Sequence, residues 1–106
     1  MRRSITLVKL HADNWYTLAD FYCDLLIAIG APAEHGRNIN ALVDSMVWGG
    51  MNKLEAPYVV QVHGSPTLPL DVLHHVELAS QALAEGRAEF RARHGKDVEV
   101  SIELLR

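Results

Sequence analysis

His35–Gly36–Arg37–Asn38–Ile39–Asn40–Ala41–Leu42–Val43–Asp44–Ser45–Met46–Val47–Trp48–Gly49–Gly50 decides how the rest of the chain is read. A glycine turn after Pro32 opens the stretch and a glycine pair closes it. Between them Ile39, Leu42, Val43, Met46 and Val47 recur at helical spacing. A helix that buries those five turns Arg37, Asn40, Ala41, Asp44 and Trp48 to its other side. Asn40, Asp44 and Trp48 then form one outward row, each four residues from the last. A carboxylate and an indole beside a glycine-framed loop suit a protein-docking surface better than a hydrolytic site.

Upstream, Ser4–Leu10 is a β-branched, mostly apolar run without breakers, which predicts a strand buried on at least one face. His11, Ala12, Asp13 and Asn14 supply turn and capping residues. Leu18, Phe21, Tyr22, Leu25, Leu26 and Ile29 follow at the spacing of an amphipathic helix, ended by Gly30 and barred from continuing by Pro32. Its N-cap is Asn14 or Thr17, the latter with Asp20 as a short-armed capping box. Trp15 and Tyr16 are expected to pack at the rim where this helix starts.

Downstream, the helix of the opening stretch spans about Asn38 to Trp48. Met51–Ala56 is a connector to which no conformation is assigned. Tyr58–His63 is a β-branched second strand, broken by Gly64–Ser65–Pro66–Thr67. Pro69 and Asp71 suit the first turn of a long helix. Its stripe of Val72, Val76, Ala79, Leu83, Gly86 and Phe90 runs straight through the glycine. Gly86 therefore reads as a close-packing point in a continuous helix, at a cost of about 1 kcal/mol against alanine. The helix stops at Gly95, after Arg91, Arg93 and His94. Val98–Leu104 alternates cleanly and predicts a strand at a sheet edge, one face wet and one buried. The order strand-helix-helix-strand-helix-strand implies an α/β fold with a small parallel sheet joined by helical crossovers.

The block Pro32–x–x–His35–Gly36–Arg37–Asn38–Ile39–Asn40–Ala41–Leu42–Val43–Asp44 resembles the signature of the barstar family of ribonuclease inhibitors. That signature reads roughly as proline, two or three residues often aromatic, glycine, a variable residue, asparagine, leucine, aspartate, alanine, an apolar pair and aspartate. Here Asn40 stands where the family usually has aspartate and Val43 where it often has tryptophan. Glu34 and His35 replace residues that are often tyrosine. The resemblance implies one barstar-like domain over residues 1–106, a three-stranded parallel sheet with its helices packed against it. It further implies a bacterial, cytoplasmic protein that is not an enzyme and holds no cofactor or metal. Its partner would be a protein, a secreted or toxin-type ribonuclease, to which it serves as an immunity-type antitoxin by plugging the active site.

On this resemblance the partner-binding residues are Asp44, Asn40, Trp48, Arg37, Gly36 and His35. Asp44 holds the second acidic position of the signature, where family carboxylates occupy a cationic pocket built for phosphate. Asn40 keeps an acceptor but forfeits the charge, and Arg37 adds a positive charge beside it. Trp48 is either a core residue closing the helix or an exposed contact of a type favoured at interfaces. Asn40 and the basic end of the long helix (Arg87, Arg91, Arg93) motivate an alternative, an interaction module of the same fold whose partner is not a nuclease. A small histidine-dependent enzyme is a third reading.

Composition narrows the field. The chain has 106 residues, 49% of them hydrophobic and 22% charged, enough for one core without staples. A net charge of −3 gives no basic face for direct nucleic-acid binding. A lone cysteine, Cys23, excludes an intrachain disulfide and fits a reducing cytosol. Six histidines are present, yet none forms an H-x-x-x-H pair, and His74 and His75 would point about 100° apart on a helix. His74 and Glu77 have possible ligand spacing, but that spacing is common by chance. No nucleophile elbow, G-x-G-x-x-G or P-loop occurs. Arg2 and Arg3 could begin a signal peptide, but Lys9, His11 and Asp13 interrupt the apolar stretch too early. No run approaches the length of a membrane span, so a soluble intracellular protein is expected.

Overall fold

β-branched Tyr58–His63 forms the middle strand of the sheet, as the position of the strongest β-forming run suggests. The computed structural model describes residues 4–105, so the arginines at positions 2 and 3 lie outside the described residues. Six principal elements follow in the expected order: β1 (Thr6–His11), α1 (Leu18–Ala28), α2 (Ile39–Val43), β2 (Tyr58–His63), α3 (Leu70–His94) and β3 (Val100–Leu104). Short 3₁₀ turns at Ala12–Asn14 and Ser65–Thr67 lead out of β1 and β2. The sheet is parallel throughout, in the order β1-β2-β3.

Register sets which side chains form the core. Val8 pairs with Val60 and Val60 with Ile102, while Leu10 pairs with Val62 and Val62 with Leu104. These even-numbered residues turn toward the helices, meeting Phe21, Tyr22 and Leu25 of α1 and Val72, Val76, Ala79 and Leu83 of α3. Leu7, Lys9 and Glu103 face outward and are exposed, which gives β3 the edge position expected of it and places β1 at the opposite edge. Both outer strands begin two residues later than their apolar patterns suggest. Pairing sets those limits: Thr6 N–H donates to Pro57 O at 3.2 Å and Tyr58 N–H to Glu99 O at 2.8 Å.

Thr17 is the N-cap of α1. The Asp20 carboxylate reaches back to accept from the N–H groups of Tyr16 and Thr17 at 2.8 and 3.0 Å. Those two backbone bonds hold its carboxyl below the ordinary value. Trp15 lies deeper than the rim position expected for it, because Asp24 accepts its indole N–H at 2.6 Å and lets the ring pack edge-on against Phe21. Between α1 and α3 the Tyr22 hydroxyl meets His75 Nε2 at 2.6 Å, and burial, then the neighbouring His74 charge, lowers the His75 pKa.

The connector at 51–56 takes its shape from α1. Lys53 and Leu54 N–H groups donate to the carbonyls of Gly30 and Ile29 at 3.1 and 3.0 Å. Helix α3 runs unbroken to Gly95, and Gly86 is buried within it. A Cβ on Gly86 would lie 2.8 Å from Val43 Cγ1, so the glycine lets α2 approach α3 closely. No helix among the described residues is long and apolar enough to cross a membrane.

Candidate functional site

The site is built where α2 leans on α3. Asn38 caps α2, its side-chain oxygen accepting the Ala41 N–H at 2.8 Å. Leu42 is fully buried, with Ile39 and Val43 half-buried beside it. After Val43 the helical path widens into a π turn over Asp44–Trp48, closed by Gly49 N–H donating to Asp44 O at 3.1 Å. Met46 and Val47 still face the core, so the inward set of five is the one expected from spacing.

On the outward side Asn40, Asp44, Arg37 and Gly36 are exposed. Asp44 belongs to two clefts at once. One, about 440 Å³, lies between the loop and the helix and is lined by Pro32, Glu34, His35, Gly36, Asp44 and Met51, among others. The other, about 480 Å³, lies between α2 and α3 and includes Asn40, Asp44, Glu85, Gly86 and Glu89. Asp44 is the residue the two clefts share, and it stands on the ridge between them. Among the described residues neither Asp44 nor Glu85 has an ion-pair partner, whereas Glu89 holds Arg93 at 2.9 Å. Three carboxylates thus converge on one groove, which favours cations.

Trp48 is partly packed and partly exposed. Its ring is 37% exposed, yet it packs edge-on against Phe90 at 5.1 Å with the Arg93 guanidinium 5.8 Å from its centre. His35 differs from the surface contact expected of it: its ring is only 7% exposed. Nδ1 lies 2.6 Å from Gly36 O and Nε2 lies 2.7 Å from Ser45 Oγ, so the ring ties the loop to the π turn from beneath. Gly36 itself has little room, because an added Cβ would lie 3.2 Å from Ala41 Cβ and Asn38 Nδ2.

A family model described as Barstar (barnase inhibitor) matches residues 5–105. The chain belongs to the barstar family. A search of curated proteins gave no match. As a barstar-family protein the chain has a fold associated with inhibiting a ribonuclease, and members of the family act as inhibitors rather than enzymes. Sequence reasoning assigned no role to Glu85 and Glu89, which complete the barstar-family chain's acidic groove. Their signal was Gly86: the close-packing glycine places its neighbours in the helix beside α2. Ser45 was read only as a residue inside a helix, although it is the buried partner of His35. His11 and His63 pack ring against ring at 5.7 Å, but among the described residues no three His, Cys, Asp or Glu side chains gather as a metal site.

Proposed function

We propose that this protein inhibits a bacterial ribonuclease or ribonuclease-type toxin, as a cytoplasmic immunity protein that plugs the nuclease active site. The observation that carries the reading is the Asp44 carboxylate, without an ion-pair partner among the described residues, with Glu34 in one flanking cleft and Glu85 and Glu89 in the other. A ribonuclease cleft must be cationic to hold RNA phosphates, so an acidic ridge matches it in charge and shape. Such complementarity speeds association and fixes orientation. Gly36 and Arg37 lie at the edge of the contact, Asn40 supplies a neutral acceptor beside Asp44, and Trp48 adds a rigid aromatic flank. His35 supports the loop from within.

The test is co-expression with a ribonuclease encoded beside the gene, followed by co-purification and an RNA-cleavage assay. A stoichiometric complex that no longer cleaves RNA is expected. Free cleavage in the presence of excess protein, with no complex recovered, overturns the proposal. A second reading draws on the other end of the surface, where Trp48, Phe90, Arg93 and His94 form an aromatic and basic cluster. It makes the protein a docking module for a partner that is not a nuclease. Affinity capture that returns such a partner, with its binding lost on Trp48→Ala and kept on Asp44→Ala, favours it over the inhibitor.

A further inference from the structure

Among the described residues the helices pack on one face of the sheet and leave the other bare. With Val60, Val62 and Ile102 turned to the core, strand alternation puts Leu7, Lys9, Val59, Gln61, Ser101 and Glu103 on the opposite face. Leu7, Lys9 and Glu103 are exposed there, Leu7 at 54%, and Val59, Gln61 and Ser101 are half-buried. A wholly parallel sheet is normally covered on both faces. The strand register arranges these residues in two rows, Leu7–Val59–Ser101 and Lys9–Gln61–Glu103. The second row runs from positive through neutral to negative across the sheet. Among the described residues neither Lys9 nor Glu103 has an ion-pair partner.

Such a row is complementary to itself. A twofold axis laid along β2 above the bare face sets β1 of one copy over β3 of the other and keeps every residue in its row. Lys9 then faces Glu103 of the second copy at one edge, and Glu103 faces Lys9 of the second copy at the other. The two Gln61 amides meet on the axis, each able to donate to and accept from its twin. In the next row Leu7 lies over Ser101 of the second copy and Val59 over Val59. Two sheets stack about 10 Å apart with strands aligned to within about 30°, a condition this axis meets. An axis across the strands would instead stack Lys9 on Lys9 and Glu103 on Glu103, so charge selects the first arrangement. We propose that a second copy of this chain covers the open face of the sheet, related by a twofold axis along β2 and held by reciprocal Lys9–Glu103 pairs. Three short strands offer a face of roughly 250 Å², against roughly 800 Å² per partner in a stable complex, so the dimer is a weak and reversible one. The helices lie on the far side of each sheet. Both acidic grooves therefore stay uncovered, and the dimer does not depend on the function proposed above.

Sedimentation equilibrium of the full chain at low salt, from about 10 μM to about 1 mM, spans the affinities of a weak interface. The average mass should rise with concentration toward that of two chains, and the association should weaken as salt is added. Lys9→Glu and Glu103→Lys each set like charges against each other, and each should weaken the association at least about tenfold. Both positions are exposed, so both variants should fold, which circular dichroism checks. Mixed in equal amounts, the two variants again oppose unlike charges at both edges, and the mixture should associate to within about threefold of wild type. That recovery is specific to the axis along β2, because it needs position 9 of one copy over position 103 of the other. A monomer at every concentration, a dimer indifferent to both reversals, or a loss that mixing does not repair overturns the proposal.

Discussion

Around Asp44 and Glu85 the carboxylates carry no ion pair among the described residues, while further along the same surface each arginine is engaged. Arg87 and Arg91 both reach Asp97, at 2.8 and 3.5 Å, and Arg93 reaches Glu89 at 2.9 Å. The Arg87–Asp97 pair is the less exposed of the two regions, its side chains 24% and 35% exposed, whereas Asp44 and Glu85 are exposed. A surface ion pair contributes only about 0–1 kcal/mol to folding, which makes the arginine end a local affair of modest weight. Asp44 and Glu85, which line one groove with no ion-pair partner among the described residues, gain nothing of that kind. What they retain is an unspent attraction for an outside cation. Under the function proposed above, Asp44 and Glu85 are the docking charges, while Glu89 of the same groove is held by Arg93.

The contrast is most easily broken at Gly86, where α2 and α3 touch. Gly86→Val drives side-chain atoms into Val43 and Val47 and should destabilise the fold by about 2–3 kcal/mol, read by urea unfolding. Unchanged stability would mean that the helices separate freely and that the groove is not a fixed shape. Asp44→Ala addresses the unpaired end. It should shift stability by less than about 0.5 kcal/mol but weaken binding to the true partner by at least about 2 kcal/mol. Melting curves and binding kinetics on the same protein separate these effects, and wild-type binding would remove Asp44 from the interface.

Asn40→Asp sharpens the contrast from the other direction by restoring a fourth acid to the groove. Association with a basic cleft should become faster at low salt and lose that gain as salt rises. The smallest effect is expected at the paired end. Asp97→Asn should cost less than about 1 kcal/mol in stability and leave binding unaltered. Hydrogen bonding from Arg87 holds the Asp97 carboxyl below its ordinary 3.8. Because the folded value is the lower one, the contribution is present above 3.8 and disappears as pH falls through the folded value. Thermal melts of wild type and variant should therefore converge in acid, and a constant gap would show that the pair is not the cause.

Periodicity made the elements legible wherever the residues that decide an element lie within it. The five inward residues of 39–47, the run Tyr58–His63 and the stripe through Gly86 are all of this kind. The connector at 51–56 was opaque because its main chain bonds to Ile29 and Gly30, more than twenty residues earlier, and no local pattern encodes that. His35 was misjudged for a related reason. Its place in the family signature suggested a partner contact, whereas its side chain is buried against a hydroxyl ten residues away in the π turn. The acidic groove needed the relative rotation of two helices, which Gly86 hints at and the coordinates supply.

The pairing of β3 has a temporal consequence. Strand β2 cannot complete its second ladder until Val100–Leu104 exists, and Leu105 bonds to both Val62 and Ser65. A chain still being translated, at about 5–20 residues per second, therefore carries its whole docking segment before the sheet beneath it can close. Long-range parallel pairing of this kind is also slow to form. Under the function proposed above, that wait separates synthesis of the inhibitor from protection, and the sheet topology helps set its length.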